Sequence, residues 1–262
     1  MLSPAPGRSA AGRESSGVDG TGPADGPGGP TSGPATSLAW LAVTVGLLLT
    51  SLVANRLAPP AHLAIGLASV PALAAVARLA ALPPAELGLG RRGWAPGLRW
   101  GAAGAALVAA GYAAALAVGS ARSALAGTTD TAGRGWPAVL GAALLVIPLG
   151  TVLPEELAFR GVLWALLRRR YGARTATAAS SVLFGLWHVL PALGGGAANE
   201  VAAGALGGGG AGTALRVGGT VLVTTAAGAG FCWLRIRADS LLAPALVHWA
   251  VNGLGVVAVR IA

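Results

Sequence analysis

Long apolar runs, separated by short segments that contain arginine, dominate the sequence from residue 38 onward. The first run, residues 38–54, has no charged residue and is nearly long enough to cross about 30 Å of hydrocarbon as a helix. The pattern predicts an all-α, polytopic transmembrane helical bundle of about seven to eight spans with a polar intramembrane cavity. The later runs cover about 61–82, 101–119, 136–167, 175–192, 214–234 and 241–259.

The run over residues 136–167 is the least regular of these. It contains Pro148 and Pro154 and spans roughly 30 residues, which is longer than one upright crossing. A proline inside a helix removes a hydrogen bond and kinks or breaks the helix. This run is therefore predicted to be either one tilted, kinked helix or two pieces broken near Pro154.

Charged residues are few and mostly basic. Only 10% of the 262 residues are charged and 54% are hydrophobic, which is typical of a polytopic membrane protein. The net charge of +9 comes from 18 basic residues, all arginine, against nine acidic residues. Because these arginines lie mostly between apolar runs, they indicate membrane orientation and argue against a nucleic-acid partner.

The arginines are distributed unevenly between the two sides of the predicted bundle. The side that holds the amino-terminal tail has nine outside that tail, and the opposite side has five. By the positive-inside rule, the tail is expected to be cytoplasmic, in an integral protein of a bacterial-type plasma membrane. The nine are Arg91, Arg92, Arg99, Arg168, Arg169, Arg170, Arg174, Arg235 and Arg237, and the five are Arg56, Arg122, Arg134, Arg216 and Arg260.

Two segments are predicted to lie outside the membrane. Residues 1–36, rich in Gly, Pro, Ser and Ala, cannot bury enough apolar surface to fold and are predicted to be a disordered tail. Residues 193–212, dominated by Gly and Ala, are predicted to form a flexible loop. No apolar run closely follows Met1, so the first span is expected to stay as a membrane helix and not to be a cleaved signal.

One short segment places three charged side chains inside an apolar run. Glu155, Glu156 and Arg160 lie within six positions of one another. An ionisable residue in a membrane segment usually faces a partner or a wet cavity, because its burial in lipid is costly. Glu156 and Arg160, four residues apart, can pair on a helix, whereas Glu155 is rotated about 100° away and is free to face something else. One carboxylate would thus be held by a partner and the other would be available to react, and this is the first indication of a catalytic site.

Only three histidines occur in the chain, and two of them lie inside predicted spans. Phe184 and His188 share a helix face in FGLWH, and His248 and Asn252 share one in HWAVN, since each pair is four residues apart. A bundle that joins these faces to the glutamates would hold a general base, two imidazoles and an amide in one pocket. The third histidine, His62, lies at a helix boundary and is assigned no role.

Each of these residues also has a purely structural interpretation. Glu156 and Arg160 can form an ion pair that only stabilises the fold, and a single histidine in a span is often a hydrogen-bonded packing residue. Asn252 alone would be expected to join helices, and Phe184 is expected to pack under any hypothesis. Two histidines together with a double glutamate favour a functional site.

The three motifs EELAFR, FGLWH and HWAVN, in this order over residues 155–252, resemble the EExxxR, FxxxH and HxxxN motifs of the CPBP family of intramembrane proteases. That family includes the type II CAAX prenyl endopeptidases and bacterial Abi-type bacteriocin-processing or immunity proteins. Every fixed motif position is filled, whereas the amino-terminal spans match only as generic membrane helices. The resemblance implies that residues 37–262 are a transmembrane protease-like domain with a water-filled cavity open to one side of the membrane.

The resemblance also implies a role for each motif residue. Glu155 would be the general base that activates water, and His188 would help to hold that water. His248 and Asn252 would stabilise the oxyanion of the tetrahedral intermediate. In a supporting role, Glu156 and Arg160 would orient the helix of the first motif, and Phe184 would pack beside them.

The involvement of a metal is open at the level of sequence. Glu155, His188 and His248 could supply three zinc ligands with an open fourth position, but there is no HExxH motif and no further acid that can be assigned to orient the ligands through a hydrogen bond. The single cysteine, Cys232, excludes a site with several cysteines and is predicted to be a small buried hydrophobe. Metal-free, glutamate-based hydrolysis without a cofactor is favoured, and zinc is the alternative.

Three functions from different classes fit these observations. The favoured one is an endopeptidase that cuts a membrane-bound or membrane-proximal peptide, with membrane lipids and a peptide or protein substrate as its partners. The second is a non-catalytic immunity factor or scaffold of the same fold, which would not need every polar motif position. The third, a small transporter, is disfavoured because the chain has no convincing internal repeat.

Overall fold

The structure is a computed structural model that describes residues 34–126, 135–194, 207 and 209–262. The described residues are almost entirely helical and contain no strand, which confirms the predicted all-α class. All of them belong to one unit, Ser32–Ala262. Residues 1–33 of the predicted tail and most of the predicted loop over 193–212 lie outside the described residues.

The amino-terminal part of the bundle consists of three long helices and one short helix. The first long helix continues past its end as a π-helical turn, Val53–Leu57, and the second follows a short 3₁₀ turn, Pro59–Ala61. The helices are α1 Pro34–Leu52, α2 His62–Leu79, α3 Trp94–Ala117 and the short α4 Gly119–Ala126.

The carboxyl-terminal part begins with one long helical stretch, Trp136–Ala192, and ends with two membrane helices. Segments of α-helix in the long stretch alternate with π-helical turns at Ala142–Val146, Pro148–Val152 and Leu157–Leu163. The α-helices are α5 Trp136–Gly141, α6 Leu153–Glu156, α7 Trp164–Trp187, α8 Val189–Ala192, α9 Gly210–Ala238, α10 Leu242–Trp249 and α11 Gly255–Ile261.

The long stretch has enough residues to cross a membrane twice. Six helices in the described part of the chain are long and apolar enough to span a membrane, and one of them, Trp136–Ala192, has 57 residues. A straight helix of that length would measure about 85 Å, far more than the hydrocarbon thickness. The stretch is broken at Gly172, whose φ of 80° and ψ of 168° are conformations that residues with a side chain rarely adopt. Counted with this break, the six candidate helices of the described part contain seven apolar segments, which agrees with the predicted seven to eight spans.

We call residues 136–171 the glutamate arm and residues 173–192 the histidine arm. The glutamate arm has no break near Pro154, because every residue between 136 and 171 is helical. Pro154 lies two residues after a π-helical turn, Pro148–Val152, whose wider winding removes the clash between the proline ring and the carbonyl one turn earlier. Of the two predicted alternatives, the single irregular helix is the one observed.

The glutamate arm is the centre of the bundle. Every residue from Pro154 to Leu167 is buried, whereas the outer helices α1 and α3 leave large apolar side chains exposed, as a surface in lipid requires. Phe159, Leu163 and Cys232 belong to the largest buried cluster, and the burial of Cys232 agrees with its predicted role. The charged motif is thus placed in the most enclosed part of the molecule.

Contacts between loops show which of them share a face of the bundle. Arg169, next to the break at Gly172, donates hydrogen bonds of 2.8 Å to both carboxylate oxygens of Glu86 and of 2.9 Å to the carbonyl of Ala80. Arg235, near the end of α9, donates to the carbonyl of Glu86 at 2.9 Å. These contacts place three arginine-rich connections on one face, as the alternating order of the spans predicts. We call it the basic face.

The close approach of α2 to the glutamate arm gives a first testable prediction. A Cβ added at Gly66 would meet the carbonyl oxygen of Gly150, a backbone atom that cannot rotate away. Gly66→Ala is therefore expected to lower the free energy of unfolding by about 1–3 kcal/mol. Gly111→Ala in α3, where nothing lies within 4 Å of the added atom, is the matched control. Equal unfolding temperatures for the two variants in detergent would contradict this packing.

Candidate active site

The predicted site residues come from three parts of the bundle. The glutamate arm supplies Glu155, Glu156 and Arg160, which are 7%, 2% and 0% exposed to solvent. The histidine arm supplies Phe184 and His188 at its far end. The last membrane helix supplies His248 in α10 and Asn252 in the π-helical turn that follows α10.

Glu156 is the centre of a buried polar network. Its Oε1 accepts a hydrogen bond of 3.0 Å from Nη1 of Arg160, so the predicted pair on one helix face is present. The same oxygen lies 2.8 Å from Nδ1 of His248, which belongs to another helix. Because an ionised carboxylate only accepts hydrogen bonds, Nδ1 of His248 carries the proton of this contact when Glu156 is ionised. Glu156 thereby fixes the orientation of the imidazole ring.

All three phenylalanines of the chain surround Arg160. Its Cζ lies 4.0 Å from the ring centroid of Phe184, 4.9 Å from that of Phe231 and 5.9 Å from that of Phe159. Nε and Nη2 of Arg160 are buried without a hydrogen-bond partner. The faces of aromatic rings attract a guanidinium, so they stabilise the charge where hydrogen bonds are missing. We call Phe159, Phe184 and Phe231 the phenylalanine cage.

The cage also holds the histidine of α10. The ring of Phe231 stacks on the ring of His248 with centroids 5.1 Å apart and an interplanar angle of 23°. Phe184 meets the same imidazole edge to face at 5.9 Å. Two aromatic contacts and the bond to Glu156 therefore determine where Nε2 of His248 points.

Glu155 has one held oxygen and one free oxygen. Its Oε1 accepts a hydrogen bond of 3.1 Å from the indole Nε1 of Trp187 in the histidine arm. Its Oε2 is buried without a hydrogen-bond partner and lies 3.9 Å from Nε2 of His248. A buried carboxylate oxygen without a partner is costly in a structural role, and such groups call for an explanation.

Two predicted site residues are not joined to the glutamates in the described part of the chain. His188 is half-buried, and its Nδ1 lies 2.7 Å from the carbonyl of Phe184 in its own helix. Asn252 is half-buried one helical turn after His248, and no hydrogen bond of its side chain is formed within the described ranges. The structure thus brings together Glu155, Glu156, Arg160, His248 and Phe184, and places His188 and Asn252 on the same elements without direct polar contact to the glutamates.

The possible zinc ligands do not form a complete set. Among the residues that the structure describes, no three His, Cys, Asp or Glu side chains are grouped as metal ligands. Glu155 and His248 face each other, but the contact of His188 with Phe184 turns one of its ring nitrogens away. The other ring nitrogen of His188, Nε2, remains available, and a bond from Nδ1 to a backbone carbonyl is the usual arrangement of a metal-ligating histidine.

Two residues outside the predicted set complete the site. Trp187 holds Glu155, and Phe231 holds both Arg160 and His248. Trp187 lies between the fixed positions of the FGLWH motif, and a tryptophan next to a motif histidine is a weak signal. Phe231 is one of only three phenylalanines in the chain, and this scarcity is the one feature that could have indicated it.

Two cavities reach the two glutamates from different directions. A cavity of about 30 Å³, lined by Glu155, Trp187 and His62 among others, is large enough for a water molecule. A cavity of about 660 Å³ is lined by Glu156 and mainly apolar residues, and it includes Leu87 and Leu241 near the basic face. We call them the water-sized cavity and the apolar cavity.

Comparison with known proteins gives one match. Residues 134–254 match the family model described as Type II CAAX prenyl endopeptidase Rce1-like, and this range contains all three motifs. The comparisons with curated proteins and with solved structures found no match. The resemblance stated from the motifs is thereby confirmed, and together with the apolar helices it shows an integral membrane protein.

Proposed function

Because residues 134–254 match the Rce1-like type II CAAX prenyl endopeptidase family model, we propose that the protein hydrolyses a peptide bond of a membrane-bound or membrane-proximal substrate with water activated by Glu155. One observation carries the proposal. Oε2 of Glu155 is buried without a partner, while Trp187 fixes the other oxygen of the same carboxylate and a water-sized cavity adjoins the residue. A carboxylate held in this way is suited to act as a general base.

The reaction needs only groups already in place. Oε2 of Glu155 takes a proton from water, and the water oxygen forms a bond to the carbonyl carbon of the scissile peptide. The carbonyl oxygen becomes an oxyanion in the tetrahedral intermediate. Glu155 then gives the proton to the amide nitrogen, and the carbon–nitrogen bond breaks. The products are a free carboxyl end and a free amine.

His248 is the main donor that we propose for the oxyanion. Its Nδ1 is bound to Glu156, so Nε2, 3.9 Å from Glu155, is the nitrogen available to substrate. When Nε2 also carries a proton, the two glutamates, Arg160 and His248 together have zero net charge. Preorganised donors of this kind typically contribute about 3 kcal/mol each to transition-state stabilisation.

The remaining motif residues support these two. Asn252, one turn after His248 and without a side-chain hydrogen bond in the described ranges, is the second donor for the oxyanion. Within the described residues, Nε2 of His188 makes no hydrogen bond, so it can hold the water as the family resemblance implies. Glu156, Arg160 and Phe184 act by fixing His248 and the glutamate arm.

We place the substrate in the apolar cavity. Its volume of about 660 Å³ can take an apolar segment, and it ends at Glu156 in the motif. Because Leu87 and Leu241 on its walls lie near the basic face, the substrate would enter from that side. By the arginine excess, this side is cytoplasmic and faces the interior of a bacterial-type cell.

The test is peptide-bond cleavage by purified protein in detergent or nanodiscs, against a mixed library of membrane peptides. Wild type is expected to give defined products, and His248→Ala is expected to lower kcat by about 10²–10³-fold. Identical product profiles for wild type and His248→Ala, with a cellular phenotype that still depends on the motif, would favour the non-catalytic immunity factor or scaffold.

The same assay separates the two mechanisms. Glutamate-based hydrolysis predicts that cleavage survives a strong chelator, because no step then depends on a bound metal. Cleavage that the chelator abolishes and zinc restores would show instead that Glu155, His188 and His248 serve as ligands.

A further inference from the structure

His62 lies on the wall of the water-sized cavity that also contains Glu155 and Trp187. It is half-buried and is the first residue of α2, so its backbone is fixed by the Pro59–Ala61 turn before it. Its Nε2 lies 3.4 Å from Oγ1 of Thr151, a residue of the glutamate arm. The third histidine of the chain thus faces the same small space as the proposed base.

The other polar groups of this cavity already use their protons. The hydroxyl of Thr50 donates to the carbonyl of Gly46 at 2.8 Å, and that of Ser69 donates to the carbonyl of Gly66 at 2.7 Å. The indole of Trp187 donates to Glu155. The contact between His62 and Thr151 is long, and it occupies one ring nitrogen only. In the tautomer in which Nε2 accepts from the hydroxyl of Thr151, Nδ1 carries the proton, and His62 is then the residue among the described lining residues with an N–H donor left for a water molecule.

A buried water needs two to four polar partners. A water in a cavity of about 30 Å³ can donate a hydrogen bond to Oε2 of Glu155, and its oxygen then requires a donor on the other side. A ring N–H of His62 can supply that donor. The close packing of Gly66 against Gly150 keeps α2 and the glutamate arm together at this level, so the cavity has rigid walls.

We propose that His62 binds the hydrolytic water from the side opposite Glu155, so that a lone pair of the water oxygen and the proton to be removed are both oriented before attack. This inference rests on the proposed function, and it adds a residue of α2 that lies outside the three motifs. Thr151 acts through His62 by fixing the rotation of the ring.

The test compares kcat and KM of purified wild type with those of His62→Phe, His62→Gln and Thr151→Val. His62→Phe keeps the ring shape and removes the donor, so kcat is expected to fall by about tenfold or more while KM changes by less than about twofold. His62→Gln, whose amide donates a hydrogen bond, is expected to recover most of that loss. Thr151→Val is expected to be intermediate.

Thr44→Val is the matched control for Thr151→Val, because Thr44 is a half-buried threonine of α1 whose hydroxyl bonds to the carbonyl of Trp40 in its own helix, away from the cavity. If wild type cleaves peptides and His62→Phe keeps the wild-type kcat, the inference is wrong and the proposed function stands. Equal losses in the Phe and Gln variants with a lower unfolding temperature, or a change in KM alone, would also overturn it. A wild type without any cleavage activity would overturn both.

Discussion

Glu155→Gln is expected to abolish peptide-bond cleavage and to leave the fold intact. The amide is isosteric with the carboxylate, and its oxygen can still accept the hydrogen bond of 3.1 Å from Trp187. An amide cannot remove a proton from water, and loss of a general base typically costs about 10²–10⁴-fold in rate. The measurement is kcat of the purified variant on a peptide cleaved by wild type, together with its unfolding temperature.

Glu86→Gln is the matched control for this substitution. Glu86 is also a partly buried glutamate bound by another side chain, Arg169, but it lies at the basic face away from the motif residues. It should keep wild-type kcat. Cleavage at the wild-type rate by Glu155→Gln would refute the role of Glu155 as base, and a similar loss in both variants would point to damage to the fold.

Arg160→Met is expected to cause the largest loss of stability of any substitution in the motifs. The guanidinium is fully buried, and its removal leaves the carboxylate of Glu156, which is only 2% exposed, without its cationic partner. Breaking a buried ion pair by removing one partner typically costs about 3–5 kcal/mol. The loss of the contacts with the phenylalanine cage adds to this cost. Unfolding in detergent, followed by heat or denaturant, measures the effect.

A double variant separates the effect of the unpaired carboxylate on stability from the effect of the lost packing. In Glu156→Gln/Arg160→Met, no unpaired carboxylate remains, so the double variant is expected to be more stable than Arg160→Met alone. Replacement of a buried ion pair by uncharged residues is often neutral or stabilising. Cleavage is not expected to recover, because the ionised acceptor that fixes Nδ1 of His248 is also lost. A double variant no more stable than the single one would show that the cage contacts dominate.

The sequence allowed the residues of the site to be predicted better than the contacts between them. The four-residue spacing in the first motif correctly indicated that Glu156 pairs with Arg160, because such spacing depends only on helix geometry. The apolar runs likewise indicated the seven apolar segments of the described part. The predicted division between a held Glu156 and an available Glu155 is not what is observed, because each carboxylate has one bonded oxygen and one buried oxygen without a hydrogen-bond partner.

Contacts that depend on side-chain rotation or on packing between distant segments could not be predicted. His188 bonds the carbonyl of Phe184, four residues earlier, which no spacing rule distinguishes from an inward orientation. Phe231 lies in α9, outside the three motifs, and its stacking on His248 follows from the packing of α9 against α10. The continuity of the glutamate arm through Pro154 depends on π-helical turns, which apolar periodicity does not reveal.

The break at Gly172 has a consequence for biogenesis. Because the two arms are joined by a turn and not by a long loop, they enter the membrane as one hairpin. Glu156 and Arg160 belong to the same helix and can neutralise each other as soon as that helix forms, so Glu155 is the carboxylate of the hairpin that lacks a cationic partner within its own helix. Phe231 and His248 reach the site later, since they are synthesised after the hairpin. A nascent chain interrupted before α9 would therefore hold a costly, half-built polar core, which membrane quality control could recognise.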